Sequence, residues 1–333
     1  MSQHLPILVA GFALALVLTP LSRYLALKID LVARPREQRL HRTTTPLMGG
    51  LAIYGALVLT LLIFGLPAHF VELGAILAGA TLMALLGLWD DRHELAPKVK
   101  FAGQIAAAGV LVSTGVRVRM FDNLPLLDAA LTIFWVVGLT NALNFQDNMD
   151  GLAISIAAIA SSFFLILAVM EGQYLVGSLA AALCGASAGF FIYNFNPANT
   201  FMGDMGSMVL GFTLAVLGIK LRFSGPLSVT WMIPIIVLGL PIFDTTLVIF
   251  TRLREGRSPA QGGKDHSSHR LMRMGLGQRS TLAVLCAICI ALGGAAVAIS
   301  RVPSAGWAIG GVLAVLAAAA FGFLEWHYIK HHP

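Results

Sequence analysis

The sequence predicts an all-α, polytopic integral membrane bundle, with about 11 transmembrane helices in a single domain spanning 1–333. Three observations predict it. Of 333 residues, 57% are hydrophobic and only 11% are charged, against about 25% charged in an ordinary soluble domain. The mean hydropathy is +0.83, more apolar surface than one or two water-soluble cores can hide. The apolar residues also fall in runs of about 20, the length a spanning helix needs. Disorder, a coiled coil and a secreted disulfide scaffold are excluded by the same figures. Cys184, Cys286 and Cys289 all lie in apolar runs. They read as small hydrophobes, and Cys286-x-x-Cys289 is not taken as a redox pair.

In chain order the runs are 4–24, 47–66, 71–89, 101–116, 125–142, 152–170, 174–193, 205–221, 229–250, 280–300 and 304–325. The first lacks a basic leader and a small-residue cleavage site, so it reads as a retained helix. The fourth is short, bounded by Lys100 and Arg117. The ninth carries Pro234 and Pro241, which predict a kinked or broken helix. Eleven spans put the loops in two sets. One holds 17 of the 22 Lys and Arg; the other holds Arg117, Arg119, Lys220, Arg222 and Arg301. Cytoplasmic loops carry the basic excess. The N-terminus is therefore predicted outside, and the C-terminus and the long loop 251–279 in the cytoplasm. The net charge of +6 is mostly this topology signal and gives no argument for nucleic acid.

The carboxylates are equally one-sided, and the positive-inside rule does not explain them. Of 16, only Glu72, Asp122, Asp128 and Glu171 fall away from the cytoplasmic side. Carboxylates near membrane depth are costly and point to function. Asp90-Asp91 ends an apolar run, where two negative charges oppose the helix macrodipole and repel one another. A cation or a proton would relieve them. Asn141, Asn144 and Asp147 recur every third residue, with Asp150 three later. If helical, they share one slowly turning stripe of hard oxygen ligands, which suits Mg²⁺, a sugar or a base edge.

Asp204 opens the eighth segment between Gly203 and Gly206, where helix N-terminal amides favour phosphate. The loop 251–279 offers Arg252, Arg254, Arg257, Lys264, His266, His269 and Arg270, chemistry suited to phosphate. With no third His or Cys near, His266 and His269 do not read as a zinc pair. The first basic loop closes on Thr45-Pro46-Leu-Met-Gly49-Gly50. Asp244, beyond the two prolines, is placed to cap a broken half-helix or to orient basic groups.

These residues resemble the polyprenyl-phosphate N-acetylhexosamine-1-phosphate transferases of glycosyltransferase family 4. The likeness covers almost the whole chain. It rests on His41…Thr45-Pro46-x-x-Gly49-Gly50, on Asp90-Asp91 with Lys98 and Lys100, and on Asn141-x-x-Asn144-x-x-Asp147-x-x-Asp150-Gly151. Phe201-x-Gly203-Asp204-x-Gly206-Ser207 and Asp265-His266…His269-Arg270-Leu271 complete it. The resemblance implies transfer of a sugar-1-phosphate from a cytoplasmic UDP-N-acetylhexosamine to undecaprenyl phosphate. The products are UMP and a polyprenyl-diphosphate sugar, and Mg²⁺, with Mn²⁺ as substitute, is the cofactor.

By the same resemblance Asp204 binds Mg²⁺ with Asn144. Asp90 deprotonates or positions the lipid phosphate, and Asp91 supports it or the metal. Lys100, His41 and Thr45 contact phosphate. Asn141, Asp147, Asp150, Phe201 and Gly203 lie on the nucleotide and sugar side, Phe201 stacking on uracil. His266, His269 and Arg270 hold phosphate or sugar. A bacterial inner membrane location with a cytoplasmic active site follows, and a homodimer is left open.

Many relatives carry His-x-His-His in the last loop, where this chain reads His266-Ser267-Ser268-His269. The loop also lacks the His-His-His-Phe-Glu run of the phospho-MurNAc-pentapeptide translocases. The resemblance therefore favours the branch that starts O-antigen, teichoic-acid or other envelope polysaccharides, with UDP-GlcNAc as default donor and UDP-GalNAc or UDP-FucNAc open. That translocase is the nearest alternative. A secondary transporter of anionic substrates is the alternative from another class. Its charges, however, would sit near the midplane, often with an inverted repeat, and no repeat is present here. A membrane scaffold gives no reason for the Asn–Asp spacing.

Overall fold

A computed structural model describes residues 2–33, 45–64, 69–121 and 123–331. By internal packing the chain forms two units, Met1–Arg222 and Phe223–Pro333. In the first run α1 (Leu5–Lys28), β1 (Val32–Ala33), β2 (Thr45–Pro46), α2 (Gly49–Phe64), α3 (Phe70–His93) and α4 (Pro97–Ser113). They continue as α5 (Pro125–Gln146), α6 (Leu152–Met170), α7 (Tyr174–Asn194) and α8 (Gly203–Lys220). The second holds α9 (Leu227–Thr230), α10 (Met232–Val237), α11 (Gly239–Arg254), α12 (Ser267–Arg273), α13 (Gln278–Arg301) and α14 (Gly306–His331). β1 and β2 make one two-residue antiparallel bridge, pairing Val32 with Pro46 and Ala33 with Thr45.

Among the described residues each apolar run of the sequence is mostly helical. Eight helices among the described residues are long and apolar enough to span a bilayer, nine if one broken pair counts as a span. The eleven of the sequence reading include α2, with 16 residues, and α4, with 17, both short of the usual span. The broken pair is the ninth run: Leu227–Val237 and Gly239–Arg254 meet at 72°. The break falls between the two prolines. Pro241 then sits in the first turn of α11, where its missing N–H costs no helical bond.

The core of the first unit is α8. From Met205 to Ile219 every residue is buried, as expected of a helix apolar all round. It packs on α2, α3, α5, α6 and α7. Lipid tails are as apolar as the helices, so association rests on close fit between small residues. Ala15, Ala56 and Ala186 bring α1, α2 and α7 together. Buried hydroxyls bond back into their own helices, as in Thr140 Oγ1 to Val136 O and Thr213 Oγ1 to Val209 O, each 2.7 Å. That satisfies them where no water can.

Candidate active site

Asp90 and Asp91 are the last carboxylates of α3. Successive helical residues point about 100° apart, so the two face different partners. The Asp90 side chain is buried and forms an ion pair with Lys100 Nζ. Its Oδ1 accepts from the Leu95 N–H at 2.7 Å, which fixes the turn into α4. Glu94 holds the left-handed conformation there (φ 47°). α4 opens on Pro97, so Lys100 lies in its first turn.

Asp91 faces α8. Its two oxygens accept the backbone N–H groups of Asp204, at 2.7 Å, and Met205, at 3.1 Å. A carboxylate of one helix thus caps the N-terminus of another and meets the positive end of its dipole. Gly203 makes this approach possible. Its φ is +68°, and a Cβ there would lie 2.5 Å from Asp91 Oδ2. The Asp91 oxygens thus serve this cap, and each keeps a further lone pair for another partner.

Lys100 Nζ also donates to Asp204 Oδ2 at 2.7 Å. The Asn144 amide donates to Asp204 Oδ1 and to Ser207 Oγ, each 2.9 Å. One ammonium thus joins Asp90 and Asp204, and one amide steadies the far oxygen of Asp204. Asp147 follows the end of α5 and adds negative charge beside Asp91. Asn144, on the last turn of α5, thus reaches Asp204, while Asp147 stands just past the helix end. Asn141 turns elsewhere. Its amide pairs reciprocally with Gln104 of α4, at 2.6 and 3.3 Å. That pair stands one turn behind Lys100 and holds α4 against α5. The sequence offered no signal for Gln104, 37 residues from its partner.

Asp150 and the glycine motifs build the floor. Asp150 Oδ2 accepts from Asn196 Nδ2 and the Ala198 N–H at 3.0 and 3.1 Å, shaping the loop that delivers Phe201. The Gly49 and Gly50 N–H groups bond Phe201 O and Met202 O at 2.8 and 2.9 Å, and the Phe201 N–H bonds Pro46 O at 2.9 Å. A Cβ on Gly50 would fall 2.3 Å from Gly206 N. The two glycine motifs are thus halves of one contact. Thr45 is buried in β2 beside this contact. His41 lies outside the described residues.

In the second unit Asp244 is fully buried and orients the loop that follows α11. Its carboxylate takes His266 Nδ1 at 2.7 Å and the Ser267 N–H at 2.6 Å. Of the two roles the sequence left open for Asp244, capping a half-helix or orienting basic groups, these bonds are of the second kind. His269 lies 5.8 Å from His266, ring to ring. Burial, then the neighbouring His266, lowers its pKa to about 4. Burial alone would raise the pKa of Asp265, but Arg257 and Arg252 outweigh it and hold the group at about 2.

Arg270 differs from its expected role. It is 2% exposed and donates to Asp265 O, Leu324 O, Glu325 Oε2 and Thr251 Oγ1 at 2.6–2.9 Å. It also lies 4.4 Å over the Tyr328 ring. Four of the five guanidinium N–H donors are therefore engaged inside the unit. Arg270 ties α12 to α11 and α14 and has no fork left for a phosphate.

Among the described residues no three His, Cys, Asp or Glu side chains stand together as a ready metal cage. Mg²⁺ does not need one. It is usually held by one or two carboxylates plus substrate phosphates, and Asp204 with Asn144 offers hard oxygen chemistry of that kind.

Known proteins are similar to this chain over most of its length. The family described as Glycosyl transferase family 4 matches residues 73–222, the stretch that carries the acid cluster. A Bacillus subtilis protein named "Probable undecaprenyl-phosphate N-acetylglucosaminyl 1-phosphate transferase" is 36% identical over 278 residues, covering 81% of this chain and 77% of that one. The decaprenyl-phosphate N-acetylglucosaminephosphotransferase of Mycobacterium leprae is 34% identical over 306 residues, covering 80% and 76%. A phospho-N-acetylmuramoyl-pentapeptide-transferase of Limosilactobacillus fermentum is 34% identical over 234 residues, covering 65% and 73%.

Proposed function

Because the chain belongs to glycosyl transferase family 4, we propose that it transfers GlcNAc-1-phosphate from UDP-GlcNAc to undecaprenyl phosphate. The broader class, a multi-pass membrane phosphoglycosyl transferase, follows from that membership and from the apolar helices. The observation that carries the finer reading is the Lys100 ammonium held between Asp90 and Asp204 at one end of spanning helices. A cation there suits a diphosphate, and the helix ends suit an acceptor that arrives through the bilayer.

In this reading an oxygen of the lipid phosphate attacks the phosphorus that bears the sugar. The bond from that phosphorus to the bridging oxygen breaks, and UMP leaves with the bridging oxygen. A phosphate monoester has a second pKa near 6, so the acceptor is largely dianionic at neutral pH. Asp90 then serves more to position it than to deprotonate it. Lys100 offsets charge on the diphosphate, as phosphoryl transfer requires of its surroundings. Mg²⁺, held by Asp204 and Asn144, would supply further neutralisation of the phosphates. Phe201, Gly203, Asp147 and Asp150 form the nucleotide side, Asp150 through the loop it shapes. In the second unit His266, held by Asp244, and His269 serve phosphate or sugar. The active site faces the cytoplasm of a bacterial inner membrane, and the product starts an envelope polysaccharide.

The test is UMP release in detergent with undecaprenyl phosphate, Mg²⁺ and a panel of UDP-sugars. Release with UDP-GlcNAc supports the reading. Release only with UDP-MurNAc-pentapeptide would move the chain to the translocase branch, and no release with any donor would sink the reaction class.

A further inference from the structure

A cavity of ≈ 430 Å³ opens at the ends of α3 and α8 remote from the acid cluster. Glu72, which lines it, stands 18 residues before Asp90 on α3, about 27 Å at 1.5 Å per residue. The cavity and the acid cluster thus lie a membrane thickness apart on the same helices.

Its lining is strongly cationic. Arg117, Arg119, Lys220 and Arg222 face it with a single carboxylate, Glu72. Lys220 Nζ pairs with Glu72 Oε2 at 2.7 Å, which neutralises one charge. The Arg222 guanidinium donates to main-chain carbonyls, Leu221 O and Arg117 O at 3.3 Å and Ile219 O besides. These bonds fix the side chain without cancelling its charge. Among the described residues no salt bridge is formed by Arg117 or Arg119. Desolvation, then the neighbouring Arg119, lowers the pKa of Arg222, so the guanidinium groups repel one another. Only five Lys and Arg fall on this side of the sequence, and four of them converge here.

We propose that this cavity binds a phosphate-bearing anion on the membrane face opposite the acid cluster. Arginine forks match phosphate oxygens in pairs, and the volume lies in the small-molecule range of about 300–1,000 Å³. The flank points to a lipid headgroup as the source. Phe70 and Val71, beside Glu72, are 79% and 69% exposed and give acyl chains an apolar wall.

The experiment reads the unfolding midpoint of the full chain in neutral detergent. The probes are inorganic phosphate, phosphatidylglycerol and zwitterionic phosphatidylcholine. At a free ligand concentration about 100-fold above Kd, phosphatidylglycerol should raise the midpoint by several degrees in the wild type. It should do the same in Lys100→Ala, which alters only the acid cluster. The double variant Arg117→Ala/Arg119→Ala should lose the rise, and Arg117→Lys/Arg119→Lys should keep most of it. A rise with inorganic phosphate alone, lost in the same double variant, makes free phosphate the source. An equal rise in the double alanine variant would overturn the proposal. So would phosphatidylglycerol acting like phosphatidylcholine while phosphate does nothing. Should the double variant fail to fold, Arg119→Gln is judged by the same outcomes.

Discussion

Lys100 and Asp204, 104 residues apart in the chain, meet at 2.7 Å, and the same ammonium reaches Asp90. Without it two carboxylates would face each other with no cation between them. Lys100→Ala should therefore lower turnover by about 10²–10³-fold, the range seen when one charge-stabilising donor is removed. Asp204→Asn should abolish UMP release while the protein stays folded. Near-normal Mg²⁺-dependent release from Asp204→Asn would defeat the assignment.

The Asp90-Asp91 pair divides by role, and the two variants should separate. Asp91→Ala removes two charge-assisted bonds to the first turn of α8 and should cost about 1.5–3 kcal/mol per bond at most, read as a fall in the unfolding midpoint. Asp90→Asn should leave the midpoint near its original value and reduce turnover. The reverse pattern, with Asp90 setting stability, would show that the cap is not what Asp91 provides.

Arg270 should behave as a structural residue. Truncation to Ala strips donors from Asp265 O, Leu324 O and Glu325, but Glu325 keeps Arg254 and Thr251, so the loss should be about 1–3 kcal/mol for each buried group left unsatisfied. Arg270→Lys should rescue little, because an ammonium lacks the fork. Lys264→Ala, on the exposed part of the loop, is the control. A folded Arg270→Ala protein of unchanged midpoint but raised donor KM would restore the phosphate role.

Acid should loosen the second unit in two steps. His269 in the fold titrates at about 4, below the ordinary value of about 6.5, so the unfolded chain binds the extra proton between these pH values. Stability is then full above pH 6.5 and falls as pH drops toward 4. Asp265 follows with the same sign. Its pKa is about 2 against about 3.9 unfolded, so the loss continues down to pH 2. Unfolding midpoints across pH 4–7 should slope upward, and His269→Gln should flatten that window. His266, Asp244, Arg273 and Lys264 act on His269, so each belongs in the comparison.

The helices were legible because an apolar run of about 20 residues carries its own signal. Gly203 and Gly206 were legible as points of close approach to a ligand, but the contact of Gly206 with Gly50 was not. What lay beyond reach was pairing at long range. Nothing local to Asn141 names Gln104, nothing local to Asp91 names the amides 113 and 114 residues on, and Arg270 reads like any basic loop residue until α11 and α14 close around it. The span count stayed open for a physical reason as well. α2 and α4, with 16 and 17 described residues, sit at the lower edge of the spanning range, where length alone does not decide a crossing.

α8 has no side turned to lipid, and at 18 residues it is about 27 Å long. Membranes differ in thickness, and a protein answers a mismatch by tilting its helices or thinning the bilayer around it. A helix enclosed on all sides can do neither alone. Within the first unit the adjustment falls to α1, the least buried of its spanning helices at 28% over the apolar window. A thicker or thinner bilayer would tilt that outer helix first, and Asp204 would keep its depth.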